Sequence, residues 1–265
     1  MTQALEFRPE LTDQQVATYW VDGFAVVGRF ISDDDLRSLR DAYDSIMAEA
    51  PARRLGKEMR GTRPDGSAES LYQIVQPEKD YPELWETSYF RHGQRLAAQI
   101  LSVPESDLAG HSHMVYKPPF HGRDTPWHQD EAYWGRPDLR DNEPRALTVW
   151  LALDVASLES GCMQYIPKSQ HAVVPHGFID DESFGLMVLD PEVERAQAIP
   201  LPPGQATMHS CRSVHYTGPN TTGRQRRAWS LEFHAPPVPR TEPDNRYWLP
   251  ELQRRAEARS ELGLI

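Results

Sequence analysis

The sequence predicts a mainly β protein with flanking helices, closed as a jelly roll. Three observations carry that expectation. From His111 onward the chain breaks into short β-forming runs separated by glycine and proline, and the whole chain holds 23 prolines. Many short strands punctuated in this way build sandwiches and barrels. Before residue 51, apolar residues recur instead at helical spacing. At 265 residues the chain suits one enlarged core, and closed β architectures commonly reach this size. The expected organisation is one domain: N-terminal helices over 12–50, a jelly-roll core over about 111–235, and a C-terminal tail over 236–265.

Thr12-Asp13-Gln14-Gln15 reads as a capping box that opens a short helix, and 23–27 reads as a strand. Ser32 caps a second helix, in which Leu36, Leu39, Tyr43, Ile46 and Met47 share a face and Pro51 lies just past the end. Such a helix covers a sheet. The stretch 53–70 carries Arg53, Arg54, Lys57, Arg60 and Arg63 among glycine and serine, and is expected to be a mobile charged loop. Strands are expected over 111–117, 125–131, 147–153, 162–166, 206–209, 212–217 and 226–234. In the tail, Glu251, Arg254, Arg255, Glu257 and Glu261 surround Leu252 and Ala256, the pattern of an amphipathic surface helix over 250–262.

The formal net charge is −11. Nucleic-acid phosphates and anionic membrane surfaces attract basic faces, so neither partner is expected. No apolar run approaches membrane-spanning length, and Met1-Thr2-Gln3-Ala4-Leu5-Glu6 lacks the basic and apolar regions of a secretion signal. The expected location is cytoplasmic. Its reducing conditions suit a chain with only Cys162 and Cys211, too few for a disulfide framework and expected as buried small hydrophobes.

The chemistry concentrates at three residues. His128 and Asp130 stand two apart in Trp127-His128-Gln129-Asp130, and side chains two apart on a strand share a face. His215, in Val214-His215-Tyr216-Thr217, has to arrive from a distant strand. Two neutral imidazoles and a carboxylate on one face of an octahedral ion leave the opposite face open, which is the arrangement of non-haem Fe(II) oxygenases. In a chain with 10 histidines, a His-x-Asp pair alone is weak evidence. Arg226 strengthens it, following His215 across the turn-rich Gly218-Pro219-Asn220-Thr221-Thr222-Gly223. An imidazole and a guanidinium on strands joined by such a hairpin suit a ligand that chelates metal at one end and carries a carboxylate at the other. 2-Oxoglutarate is such a ligand.

These segments resemble the phytanoyl-CoA dioxygenase family of Fe(II)- and 2-oxoglutarate-dependent oxygenases, over roughly residues 12–235. The resemblance runs through Tyr116-Lys117-Pro118-Pro119, Trp127-His128-Gln129-Asp130, Leu147-Thr148-Val149-Trp150-Leu151-Ala152-Leu153, Ser160-Gly161-Cys162-Met163, Ile166-Pro167-Lys168-Ser169-Gln170-His171 and residues 215–227. It implies a double-stranded β-helix, the cupin-like jelly roll. It also implies iron ligands at His128, Asp130 and His215, with Arg226 pairing the far carboxylate of 2-oxoglutarate and Thr217 assisting. Trp150, His111 and His113 fall where family members line the cosubstrate pocket, and Gln73, in Leu71-Tyr72-Gln73-Ile74, is a further candidate. The implied cofactors are Fe(II), 2-oxoglutarate and O2, with ascorbate as a reductant in vitro. The implied outcome is hydroxylation of an unactivated C–H bond, or desaturation or cyclisation at the same position. Halogenases of this architecture carry Ala or Gly where this chain has Asp130, so halogenation is not expected. One departure lies in Lys168-Ser169-Gln170-His171, where the family's usual Gly-Ser-His is replaced; it alters loop contacts and leaves the metal set untouched.

Alternation sorts the strand residues by face. If Arg226 points inward, so do Ala228, Ser230, Glu232 and His234, while Trp229, Leu231 and Phe233 face a covering layer and Arg227 faces outward. His111, His113, Val115 and Lys117 likewise share a face. Glu131, Tyr133, Trp134, His171 and His176 fall in or beside loops of the barrel mouth and, with Glu232, are the candidate substrate residues. Such a rim suits a small polar metabolite of a biosynthetic pathway. The alternative is an acyl-CoA 2-hydroxylase, whose phosphates would need the basic stretch from Arg53 to Arg63. Readings of other classes are a non-catalytic sensor of iron or 2-oxoglutarate, a zinc hydrolase with the same ligands, and a structural jelly roll with incidental histidines.

Overall fold

The computed structural model describes residues 9–62, 65–134, 145–179, 185–237 and 245–261. The elements follow as α1 (Asp13–Asp22), β1 (Phe24–Arg29), α2 (Asp33–Arg53), β2 (Lys57–Thr62), β3 (Ala68–Val75), α3 (Ser88–Leu101), β4 (Ala109–Lys117), β5 (Thr125–His128), β6 (Ala146–Ala152), β7 (Met163–Tyr165), β8 (His176–Phe178), β9 (Leu186–Val188), β10 (Gln197–Ile199), β11 (Gln205–Ser210), β12 (His215–Thr217), β13 (Arg226–His234) and α4 (Leu249–Glu261). One sheet has seven strands in the order β1-β11-β6-β13-β4-β3-β2, and a second has four in the order β10-β7-β12-β5. β8 and β9 form a separate pair. This is a jelly roll, mostly β, with α1, α2 and α3 against the large sheet and α4 packed elsewhere, beside Ala132 and Leu186.

Alternation explains how the large sheet carries two faces. Trp229, Leu231 and Phe233 of β13, Leu147, Val149 and Leu151 of β6, and Ala206 and Met208 of β11 join the main core with Leu36, Leu39, Tyr43 and Ile46 of α2 and Phe90, Leu96 and Ile100 of α3. The residues between them point the other way. Trp150, Ala152 and Ala228 meet Met163 and Tyr165 of the small sheet in a second cluster. Gly93 allows α3 to lie close: a Cβ there would stand 2.4 Å from Leu231 Cδ1. Arg227 is on the helix side of β13, as expected, but it is buried; it pairs with Asp154 at 2.8 Å and with Asp44 of α2 at 2.7 Å.

The caps read from the sequence are present. Thr12 and Gln15 form the capping box of α1, and Ser32 accepts from Asp35 N at the start of α2. Pro51, expected beyond α2, is inside its last turn, and the helix ends at an αL Arg54. A proline this near an end forfeits a bond where fraying already weakens the ladder.

Three further expectations need correction. The stretch 53–70 is not a loop throughout: β2 and most of its partner β3 form a hairpin, and β3 pairs with β4. Buried Leu71 and Ile74 anchor β3, and backbone pairing extends the sheet over the polar β2. The expected strand 125–131 stops at His128, and Asp130–Tyr133 form a 3-10 turn. The expected strand 212–217 begins only at His215, because Ser213 N bonds back to Ser210 O in a turn. The tail helix is real, and it is not purely superficial: Leu249 and Leu252 are buried with Trp248, Ala132 and Leu186.

Candidate active site

The four-stranded sheet places the two imidazoles. His128 ends β5 and His215 begins β12; they are a direct cross-strand pair, with ring centroids 4.1 Å apart. Each ring is fixed by its own backbone. His128 Nδ1 lies 2.7 Å from Pro126 O and His215 Nδ1 lies 2.9 Å from Ser213 O. A carbonyl only accepts, so each Nδ1 carries the proton and each Nε2 is left as a bare lone pair, the second-layer arrangement of metal-bound histidines. Burial holds both pKa values below the ordinary imidazole range, most strongly at His215, which keeps both rings neutral at pH 7.

Asp130 reaches the pair from the 3-10 turn rather than from the strand. Its Oδ1 stands 3.6 Å from His128 Nε2 and 3.5 Å from His215 Nε2. The other oxygen is occupied from behind, by Thr148 Oγ1 at 2.8 Å and His209 Nε2 at 3.3 Å. One carboxylate oxygen is therefore presented to the imidazoles and the other is held by the protein. Burial alone would raise the Asp130 pKa, but the surrounding imidazoles His215, His209 and His128 outweigh it and hold the group well below the usual carboxylate range. One donor atom from each of His128, Asp130 and His215 falls within 4.8 Å of the others. Two neutral nitrogens and one carboxylate oxygen fit a divalent first-row metal.

Thr148 and His209 were not among the residues picked out from the sequence. His209 Nδ1 is 3.1 Å from Tyr165 Oη, which is 2.7 Å from Thr207 Oγ1, so β11 and β7 together orient the ring behind Asp130. The signal was available: Thr207 and His209 are the inward set of β11, opposite in face to Ala206 and Met208.

Arg226 sits at the other end of the inward face of β13. It is fully buried, and its Nε, Nη1 and Nη2 have no hydrogen-bond partner among the described residues. Burial lowers its pKa to about 10, still a cation at pH 7. Leaving a buried guanidinium unpaired costs several kcal/mol, so the group is built to receive an anion. Trp150 lies beneath it, 5.5 Å from ring centroid to Arg226 Cζ. Lys117, its register partner on β4, is also fully buried and donates to Thr217 Oγ1 at 2.8 Å and Gly218 O at 2.6 Å. Gly161, at φ +84°, lets a neighbouring turn approach here; a Cβ would meet Gly218 O at 2.2 Å. Lys117, read from the sequence only as sharing a face with His111 and His113, joins Thr148 and His209 as a third residue not put forward as a site candidate.

The remaining candidates separate into groups. Gln73 pairs in register with Val115, on the face that carries His113 and Lys117. His113 lies opposite Ser230; burial lowers its pKa to about 4, and its Nε2 is buried without a hydrogen-bond partner among the described residues. His111 is not beside Arg226: it pairs in register with Glu232, three inward positions further along. Tyr133 packs edge-on against His128, with ring centroids 6.0 Å apart, and Trp134 lies 4.6 Å from the His234 ring.

Three rim candidates do not face a pocket. Glu131 is buried in an ion pair with Arg212, because the 3-10 turn rotates it away from its neighbour Asp130. His171 is exposed on the surface. His176 is fully buried, its Nδ1 2.8 Å from Val174 O and its Nε2 accepting from Gln129 N at 3.2 Å. Burial holds the His176 pKa at about 4. The unfolded chain takes up that proton near pH 6.5, so stability should fall as pH drops from about 6.5 to 4, by up to roughly 3 kcal/mol from this ring. Urea titrations of the wild type and His176→Gln across that window check this: the variant should lose less, and parallel pH profiles would refute it.

A metal held by His128, Asp130 and His215, with an anion reaching from it to Arg226, would be the working arrangement of a 2-oxoglutarate-dependent non-haem iron dioxygenase. The comparisons with known proteins agree. A family model described as phytanoyl-CoA dioxygenase matches residues 19–228, and the chain belongs to that family. The crystal structure of EvdO2 from Micromonospora carbonacea var. aurantiaca, complexed with 2-oxoglutarate, is 35% identical with a TM-score of 0.77, over 92% of this chain and 99% of that one. Phytanoyl-CoA dioxygenase domain-containing protein 1 of Bos taurus is 25% identical, covering 91% of this chain and 97% of its own length. L-proline trans-4-hydroxylase of Streptomyces griseoviridis is 28% identical over 62% of this chain and 55% of its own. No helix among the described residues is long and apolar enough to cross a membrane.

Proposed function

We propose that this dioxygenase oxidises an unactivated C–H bond of a small polar metabolite in a biosynthetic pathway, by hydroxylation in the first instance. The observation that carries the 2-oxoglutarate half of this reading is the buried, unpartnered guanidinium of Arg226 on the sheet facing the His128–Asp130–His215 set. Iron bound there would supply the oxidation, converting 2-oxoglutarate and O2 to succinate and carbon dioxide as the substrate is oxidised. The chain's own part is positional. His128, Asp130 and His215 would hold the metal, and Thr148 and His209 keep Asp130 in a one-oxygen pose. Arg226 would take the far carboxylate, with Trp150 excluding water beneath it. Because Lys117 donates to Thr217 Oγ1, the Thr217 hydroxyl hydrogen is free to point at that same carboxylate.

A small substrate is supported by the proline hydroxylase relative and by the fate of the basic stretch. Arg53 pairs with Glu49 and Arg60 with Glu58, which weakens the case for a phosphate-binding patch; Arg63 and the side chain of Lys57 lie outside the described parts. The test is anaerobic addition of Fe(II) and 2-oxoglutarate to the purified protein, followed by air. A weak visible charge-transfer band and then succinate are expected. Band without succinate would make it a sensor, and hydrolysis independent of 2-oxoglutarate would make it a zinc enzyme.

A further inference from the structure

A second cluster of polar side chains lines the inward face on the far side of the metal ligands from Arg226. Glu232 lies across the ladder from Thr148, the residue whose hydroxyl holds Asp130, so the cluster is one strand away from the metal carboxylate. His234 Nε2 is 2.9 Å from Glu232 Oε1 and His111 Nε2 is 3.3 Å from Glu232 Oε2. The two imidazoles stack at 5.7 Å, and the Trp134 indole lies against His234. All three polar side chains keep partial exposure, 26% for His111, 19% for Glu232 and 30% for His234.

The donor atoms are close enough to hold a second metal ion, all within 4.8 Å. The surroundings differ from those of the first set. His128 and His215 have Nδ1 locked on carbonyls, whereas the polar bonds of His111 and His234 run only to Glu232 among the described residues. Without that second layer, neither ring is fixed for a metal. The cluster instead offers partly exposed acceptors and donors in alternation, carboxylate between imidazoles, beside a flat aromatic face.

Resting on the oxygenase reading above, we propose that His111, Glu232, His234 and Trp134 form the substrate subsite, and that it takes a neutral polyhydroxylated ring of the monosaccharide type. Adjacent hydroxyls are both donors and acceptors, and so match a carboxylate flanked by imidazoles; the C–H face of a saturated ring matches the indole. The charge balance selects against the alternatives. Each Glu232 oxygen already faces an imidazole nitrogen, Oε1 that of His234 and Oε2 that of His111, which leaves less of the carboxylate for an ammonium group. An acyl-CoA or a free carboxylic acid meets Glu232 as a like charge.

The test uses protein loaded with Zn(II) and 2-oxoglutarate, which binds without turnover, and saturation-transfer NMR with methyl glucoside and methyl galactoside, choline and butyryl-CoA as probes. The glycoside ring protons should be saturated, choline and butyryl-CoA should not. Glu232→Gln and Trp134→Ala should each weaken glycoside binding about tenfold or more, and Trp134→Phe should retain it. The 2-oxoglutarate affinity of all three variants should stay within about twofold of the wild type, which also shows that they fold. Choline or butyryl-CoA binding with the glycosides silent overturns the proposal, as do glycosides that bind equally to Glu232→Gln and Trp134→Ala. Failure of the wild type to bind 2-oxoglutarate overturns the oxygenase reading itself, and this proposal with it.

Discussion

His215→Ala should abolish iron-dependent succinate formation and leave a folded protein. Partners one layer behind a ligand are commonly worth 10–100-fold in metal affinity, so loss of a ligand should cost at least about a hundredfold. The fold has little stake in the side chain. The main core, built on Trp229, Leu231 and Phe233 against α2 and α3, lies on the opposite face of the large sheet. The loss of stability should therefore stay under about 2 kcal/mol. His128→Ala should behave alike. Asp130→Ala should be as inactive but less stable, because Thr148 loses its acceptor and His209 Nε2 loses the carboxylate 3.3 Å away. Succinate assayed at saturating Fe(II), with circular dichroism as the folding control, decides; full activity in His215→Ala would refute the ligand assignment.

Arg226→Ala should weaken 2-oxoglutarate binding by roughly 2–5 kcal/mol, the range for truncating one partner of a buried charge pair, with much smaller consequences for folding. In the free protein this guanidinium is buried without a partner, so its removal also removes a cost. Arg227 supplies the contrast one residue on. Its bonds to Asp154 and Asp44 tie β13 to α2, so Arg227→Ala should lower stability by about 1–3 kcal/mol and leave cosubstrate affinity alone. Calorimetric titration with 2-oxoglutarate and thermal melts of both variants separate the effects. The reverse pattern would mean that the strand register is displaced by one residue.

What could be read in advance depended on whether a signal was local. The spacing of His128 and Asp130, and the hairpin between His215 and Arg226, are local facts that carry chemistry: the structure brings donor atoms of His128, Asp130 and His215 within 4.8 Å of one another and buries Arg226 on the facing sheet. Strand alternation places Thr148 and His209 on the inward face, opposite Leu147, Val149 and Met208, but it does not say which inward polar residue meets the carboxylate. Glu131 was expected at the barrel mouth because it follows Asp130 at the end of a strand, but nothing local marks its distant partner Arg212, with which it is buried in an ion pair. α3 was missed although its marks were present, with Thr87 capping Phe90 N and Phe90, Gly93, Ala97 and Ile100 at helical spacing. β2 was not legible at all. Its polar residues form a strand through pairing with β3, which is decided elsewhere in the chain.

The two imidazoles hang from the four-stranded sheet, and Arg226 from the seven-stranded one. A cosubstrate fastened to a metal on one and to a guanidinium on the other would be a tie-rod across the barrel, adding to the bonds from Lys117 to Thr217 and between Tyr165 and Thr207 that already join the two sheets. Resistance to heat and proteolysis would then become a function of supply: it should rise with the free concentrations of iron and 2-oxoglutarate by mass action, and a cell short of either would hold a looser protein as well as an idle one.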